Sequence, residues 1–200
     1  DGAPRADARQ GLGNDGTLAA RDRAAKNVGA VLARKDRLHI ADPGEAVRLA
    51  EVVFLATPFQ ANLAALTPLA STLAGKILVD CTNPVGPGLT HGLGSQQSGT
   101  EMIQAMLPDT HVVKAFSIYG FENFENNVYP AYNVKPAMMF CGNDAAAKIT
   151  VGRLIAELGW EPLDVGTAAQ ALHLEHLTLL WIRYVRVEHH APDLVWAALR

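Results

Sequence analysis

The chain has 200 residues, 49% of them hydrophobic and 18% charged, with a net charge of -3 at pH 7. This composition excludes a disordered chain, and the absence of a basic excess excludes a nucleic-acid partner. No apolar run reaches the ~18 residues of a membrane span, no signal peptide is visible and the two cysteines form no CxxC pair, so we expect a cytoplasmic protein without a membrane partner.

The first 75 residues predict alternating strands and helices. Residues 1–16 have no apolar period, and the G-x-G-x-x-G match over 11–16 lacks the buried strand that must precede a phosphate-binding turn. Asp42 is a good helix cap, with Pro43 at the first helical position. We predict strands over 17–20, 38–41 and 52–56, and helices over 23–33, from residue 43, and up to residue 73 before Gly75.

Residues 76–88 are the stretch around which the other segments are organised. A strand over 77–79 runs into a polar turn, so Asp80, Thr82 and Asn83 should stand at the carboxyl edge of a sheet. In open α/β sheets ligands bind at that edge. An ordinary exit from a strand into a loop is the alternative interpretation.

The middle of the chain continues the same alternation. Residues 98–101 form a capping box that opens a helix ending at Pro108, and a strand follows over 111–116. The alternation from 17 to 116 predicts a parallel sheet with right-handed crossovers. Residues 117–136 are polar and aromatic, and we expect a long ordered loop there.

The last part of the chain predicts two more strands and a long helix. The strands cover 137–141 and 161–165, the second at a sheet edge because Pro162 cannot donate a ladder hydrogen bond. Between them Asp144 caps a helix that ends at Gly159. Residues 167–170 suggest a second capping box, opening a helix apolar nearly all round. We therefore predict a homodimer through the 168–190 helix, and a last short helix from Pro192.

Five stretches in the same order resemble the coenzyme F420-dependent NADP oxidoreductase family, and more distantly the reductase domain of the STEAP proteins. The stretches are 52–58, 79–84, 112–116, 141–144 and 174–178. The resemblance implies an α/β fold, a Rossmann-like doubly wound parallel sheet with a small helical C-terminal portion. The corresponding division is a dinucleotide-binding domain over 1–118, aberrant over 1–16, and a C-terminal portion over 119–200.

The beginning of the chain departs from the family pattern. Family members start with a buried strand, a G-x-G-N-x-G turn and a helix, followed by a strand that ends in an arginine. Residues 17–22 resemble that second strand, and Arg21 takes the place of the arginine. The first strand and its glycine turn are then expected before residue 8, where they are absent, so we expect a truncated product or a lost glycine loop.

The resemblance implies an NADP-dependent oxidoreductase. Its reaction would be hydride transfer between NADPH and a small-molecule acceptor, coenzyme F420 or a flavin. Because the cofactors carry such chemistry, we assign no catalytic side chain. The alternatives are a non-catalytic NADP(H)-binding or sensing module and an inactive truncated fragment.

The family match also implies cofactor-binding residues. Arg21 would accommodate the 2′-phosphate of NADP. Thr57 and Pro58 would pass beside the nicotinamide ribose, and the carboxamide of Asn83, next to Pro84, would bond ribose hydroxyls. An ordinary turn is the alternative at each strand end.

Two further positions follow from the next strand, and one from the long helix. Ala115 and Ser117 hold the edge of that strand, where a small Ala115 would let the nicotinamide ring lie flat. Glu175 is a candidate contact to the second substrate, because a buried carboxylate needs a partner, and a contact with only another helix is the alternative. We expect packing roles for both cysteines and no metal site, since His173 and His176 have no third ligand nearby.

Overall fold

A computed structural model describes residues 16–20 and 38–199. The strands are β1 (Gly16–Ala19), β2 (Leu38–Ala41), β3 (Val52–Leu55), β4 (Ile77–Asp80), β5 (His111–Lys114), β6 (Ala137–Gly142) and β7 (Glu161–Asp164). The helices are α1 (Pro43–Leu49), α2 (Asn62–Leu66), α3 (Ala70–Leu73), α4 (Gly99–Met106), α5 (Phe121–Glu125), α6 (Ala145–Glu157) and α7 (Ala171–Ile182). A π-helical segment, Arg183–Val187, continues α7.

The main sheet has five strands in the order β3-β4-β5-β6-β7, and β1 and β2 pair in a separate two-stranded parallel sheet. Strands β3, β4 and β5 are mutually parallel. The predicted α/β, Rossmann-like class is therefore confirmed. The expectation of a wholly parallel arrangement fails at β6, which runs antiparallel to β5. The segment between them returns at the edge where it left, and antiparallel neighbours need no helical crossover.

Side chains alternate between the two faces of the main sheet. Leu78 and Val112 pack on one face with Ile103 of α4, in a cluster that also includes residues of α1, α2 and α3. Val79 and Val113 point to the opposite face, which α6 and α7 cover. Burial on both faces accounts for the continuous apolar runs that identify these strands in the sequence.

Several predicted helix ends are confirmed. The side chain of Asp42 accepts hydrogen bonds from two backbone amides at the start of α1, and Ser98 opens α4 with both halves of a capping box. Asp144 caps α6 through the amide of Ala147, and Gly159 follows that helix with a φ of 86°. Strand β7 lies at the edge of the sheet, as Pro162 requires.

Three local predictions are wrong, the first of them at Thr167. Its side chain caps nothing, because Asn143 accepts the amide hydrogen of Ala168 instead, and a 3-10 turn, Ala168–Gln170, precedes α7. The long loop over 117–136 contains α5. No helix begins at Pro192, because side chains from elsewhere, Asn123 among them, bond the carbonyl groups of this segment.

The predicted helix that ends near residue 73 is interrupted. Helices α2 and α3 are separated by a 3-10 turn, Thr67–Leu69, which contains Pro68. Proline has no amide hydrogen to continue an α-helical ladder, which explains the break.

Some predictions lie outside the described residues. They include the helix over 23–33, Arg21, and all of residues 1–15. Gly16 is described, and it opens β1 opposite Leu38. It is therefore a strand residue, as expected for a coincidental G-x-G-x-x-G match. The division at residue 118 stays a prediction, although β6 joins the same sheet as β5. In the part of the chain that the structure describes, no helix is both long and apolar enough to cross a bilayer.

Candidate functional site

Three parallel strands end side by side at one edge of the main sheet. Leu55, Asp80 and Lys114 are in register as the last residues of β3, β4 and β5. The pairing continues one residue further, since the amide of Cys81 donates to Leu55 O at 3.0 Å and that of Ala115 to Asp80 O at 3.2 Å. The predicted residues that follow these strands therefore lie at the same edge.

A buried asparagine connects the ends of β3 and β4. Thr57 Oγ1 donates to Asn62 Oδ1 at 2.7 Å, and Asn62 Nδ2 donates to Thr82 Oγ1 at 2.9 Å. The carboxamide of Asn62 thus fixes Thr57 relative to the turn after β4, while Pro58 is exposed. A lone asparagine in an otherwise apolar segment was the signal in the sequence for this residue.

Asn83 connects the end of β4 to the end of β5 and to α7. Its Nδ2 donates to Ser117 O at 3.1 Å, and its Oδ1 lies 3.1 Å from Thr178 Oγ1, whose one hydrogen is also within reach of the carbonyl oxygens of Ser117 and Leu174. One donor hydrogen and one acceptor lone pair of the carboxamide remain for a ligand. Pro84, the next residue, is buried. Thr178 ends the stretch 174–178 that resembles the family, but we assigned it no role from the sequence.

The turn after β5 is strained and holds an unpaired hydroxyl. Phe116 has a φ of 57°, a conformation that bulky side chains rarely adopt, and its ring packs 5.7 Å from Phe54 and 6.2 Å from Phe124. Ser117 Oγ is buried, with no hydrogen-bond partner in the described part of the chain. Ala115 is fully buried in the core, which favours packing as its role.

Beneath this edge lies a cluster of buried ionisable groups. Lys114 Nζ lies 3.3 Å from Asp80 Oδ2 and 3.4 Å from Glu175 Oε1, and it also donates to the carbonyl oxygen of Thr82. Asp80, Lys114 and Glu175 are at most 1% exposed. A buried cation between two carboxylates fixes the ends of β4 and β5 relative to α7.

A histidine from the long loop after β4 completes this cluster. His91 Nε2 lies 2.7 Å from Glu175 Oε2, and the amide of Gly99 donates to Glu175 Oε1 at 2.9 Å. The carboxylate of Glu175 is therefore surrounded by protein donors and not by solvent. Its predicted contact with a substrate stays a prediction, which this burial does not favour. His91 and Lys114, like Asn62 and Thr178, are functional candidates that reasoning from the sequence missed.

Neither thiol is set up as a nucleophile. Burial and the nearby carboxylate of Asp80 raise the pKa of Cys81 to about 12, which Lys114 offsets only in part. Burial likewise raises the pKa of Cys141 to about 12. Both thiols therefore stay protonated near neutral pH. Within residues 16–20 and 38–199, no group of three or more His, Cys, Asp or Glu could hold a metal ion.

Comparison with known proteins places these features in context. Residues 8–84 match the family model described as NADP oxidoreductase, coenzyme F420-dependent. Metalloreductase STEAP3 of Rattus norvegicus is 34% identical over 135 residues, which are 68% of this chain and 26% of that protein. The F420-dependent NADP reductase of Methanocaldococcus jannaschii is 28% identical over 148 residues, 69% of this chain. The chain spans 63% of that reductase and about a quarter of STEAP3.

A solved structure matches nearly the whole chain. It is the crystal structure of a candidate F420-dependent NADP reductase from Arthrobacter sp. FB24, with a TM-score of 0.86 and 30% sequence identity. The match covers 96% of this chain and 92% of that one. The likeness therefore includes the elements beyond residue 84, among them β6, β7 and α7.

Proposed function

The chain belongs to the family of coenzyme F420-dependent NADP oxidoreductases, and we propose that it transfers a hydride between NADPH and coenzyme F420 or a flavin-like acceptor. The observation that carries this proposal is the meeting of Thr57, Asn83 and Ser117 at one carboxyl edge. In open α/β sheets this edge is where a dinucleotide binds.

The groups at this edge suit a nicotinamide nucleotide. NADPH, when bound, supplies the hydride, and the protein's residues bind, orient and exclude water. Ser117 Oγ is a buried hydroxyl that needs a partner, and Asn83 keeps one donor and one acceptor free. Arg21, which the family resemblance aligns with the arginine that ends the second Rossmann strand, would hold the 2′-phosphate and give a preference for NADP. No side chain is required as a catalytic acid or base.

A second candidate is a module that binds or senses NADP(H) without turnover. It is favoured by the position of Gly16, which lies in β1 and not in a phosphate-binding turn. Weaker binding of the cofactor phosphates would be compatible with sensing NADP(H) without turnover.

Binding and turnover measurements separate the two candidates. Isothermal titration should show that NADPH binds more tightly than NADH, and the decrease in NADPH absorbance should then report turnover with F420 or FMN. Binding without turnover supports the sensing module, and no binding of either nucleotide overturns both candidates. Arg21→Ala should weaken NADPH more than NADH, whereas Arg153→Ala, on the exposed side of α6, should change neither.

We also propose a homodimer through the 168–190 helix. Helix α7 and the π-helical segment bury one face against the sheet, where Trp181 and Val185 join the core. Their other face leaves Leu180, Tyr184 and Val187 exposed, Leu180 by 54%. Apolar side chains aligned on one helix face are typical of a subunit interface.

A further inference from the structure

We propose that the buried cluster of Asp80, Lys114, Glu175 and His91 carries a net charge of −1 and stabilises the oxidised, cationic form of the nicotinamide. This inference rests on the proposed function and adds a direction to it, with NADPH as the hydride donor.

Asp80 is ionised, because both of its oxygens face obligate donors. Oδ1 accepts the backbone N–H of Thr82 at 2.9 Å, and Oδ2 accepts from Lys114 Nζ at 3.3 Å. The hydroxyls of Thr82 and Thr100 add one bond to each oxygen, both at 2.7 Å. The backbone N–H of Thr82 can only donate, so Oδ1 must present a lone pair to it, and the Lys114 ammonium stabilises the negative charge on Oδ2.

Glu175 is ionised for the same reason. Oε1 accepts from the amide of Gly99 at 2.9 Å and faces Lys114 Nζ at 3.4 Å. Oε2 lies 2.7 Å from His91 Nε2, and the Gly99 amide is 3.2 Å away. Gly99 is the first residue of α4, so the positive end of that helix adds to the stabilisation of this carboxylate.

His91 is neutral, because its second ring nitrogen is an acceptor. Nδ1 receives the backbone N–H groups of Leu93 at 3.3 Å and Ser95 at 3.2 Å, so it carries no hydrogen. The single ring hydrogen is therefore on Nε2, where it donates to Glu175. In a doubly protonated ring, the hydrogen on Nδ1 would face the amide hydrogens of Leu93 and Ser95.

Lys114 is charged, because its nitrogen has an acceptor for each of its three hydrogens. The acceptors are Asp80 Oδ2, Glu175 Oε1 and the carbonyl oxygen of Thr82. Two carboxylates, one ammonium and a neutral imidazole sum to −1. Among the residues that the structure describes, no other cation pairs with either carboxylate.

The excess charge lies directly under the proposed nicotinamide end of the site. Asp80 and Lys114 are the last residues of β4 and β5, next to the turns that carry Asn83 and Ser117.

Hydride transfer from NADPH creates a positive charge on the nicotinamide ring, which the negative cluster favours. The hydrogen at C4 of the dihydronicotinamide leaves with both electrons of its bond to the acceptor, which is reduced. The ring changes from neutral to cationic. A fixed negative charge in a water-excluded region stabilises the cation relative to the neutral ring, so the cluster favours donation from NADPH.

The test compares two ligands that differ only in the charge of the nicotinamide ring. Dissociation constants for NADP⁺ and NADPH would be measured on wild type, Glu175→Gln and His91→Gln. Glu175→Gln brings the net charge of the cluster to zero and should raise the ratio Kd(NADP⁺)/Kd(NADPH) about sixfold, the effect of a unit charge ~10 Å away at an effective dielectric constant of ~30. His91→Gln disturbs the same contact but keeps the net charge, so the ratio should not change.

The outcomes separate charge from structure. A merely structural role for Glu175 would weaken both nucleotides equally and leave the ratio unchanged, which would overturn the inference. An equal shift of the ratio in His91→Gln would also overturn it. Asp80→Asn removes the same unit of charge if Glu175→Gln does not fold. Failure of wild type to bind either nucleotide refutes the proposed function itself.

Discussion

Replacing Lys114 with methionine should lower the free energy of unfolding by about 3–5 kcal/mol, the cost of breaking a buried ion pair by removing one partner. Lys114 is fully buried, and its ammonium is the one cation within 3.4 Å of Asp80 and Glu175 in the described part of the chain. Methionine keeps most of the aliphatic volume. The loss in the free energy of unfolding therefore reflects the missing charge and not a cavity.

Lys148→Met is the matched control. Lys148 Nζ lies 2.9 Å from Asp164, closer than Lys114 lies to either of its carboxylates, but both side chains are partly exposed. Surface ion pairs contribute about 0–1 kcal/mol, so the control should cost no more than that. Urea denaturation measures both variants, with equal m-values required for the comparison.

A double variant tests whether the loss of stability in Lys114→Met comes from the carboxylates left without a cation. Lys114→Met leaves two buried carboxylates without a cation, and Glu175→Gln removes one of them. In the double variant, Glu175→Gln should therefore lower the free energy of unfolding by less than it does alone. The reasoning fails if Lys114→Met costs no more than Lys148→Met, or if the two substitutions at the cluster are additive.

Three other predictions concern the thiols, the packing of a turn and the dimer. Folded Cys81 and Cys141 keep their protons to about pH 12, whereas unfolded thiols ionise from about pH 9, so unfolding releases protons in this window. Stability should therefore fall as pH rises from 9 to 12, by up to ~1.4 kcal/mol per pH unit for each thiol, and replacing both with alanine should flatten the slope seen in urea denaturation. Gly120→Ala should cost about 1–3 kcal/mol in the same assay, because the new methyl group overlaps the Trp181 ring. Leu180→Glu should halve the mass seen by light scattering, and an unchanged mass would contradict the proposed interface.

Patterns of local origin were predictable from the sequence. Strands β3, β4 and β5 are covered on both faces, so each reads as an unbroken apolar run, and the polar residues after them mark the edge where they end. The caps at Asp42, Ser98 and Asp144 were predictable for the same reason, since each cap depends on residues within three positions.

Features that depend on distant partners were not predictable. The Thr167 cap failed because Asn143, brought near by the fold, accepts the hydrogen bond instead. The direction of β6 depends on how residues 117–136 return, which no periodicity reports. His91 and Glu175 are 84 positions apart, and a single sequence gives no reason to pair them.

Glu175 shows how these two levels combine at the candidate site. From the sequence, a carboxylate on an apolar helix needs a partner, which could be the second substrate or only another helix. The structure supplies protein partners, namely Lys114, His91 and the Gly99 amide. With its oxygens occupied, Glu175 has no direct way to touch a ligand. Because Lys114 is shared with Asp80, the cluster as a whole keeps the net charge of −1 that we propose, and Glu175 would act on a bound nicotinamide through this charge and not through a contact.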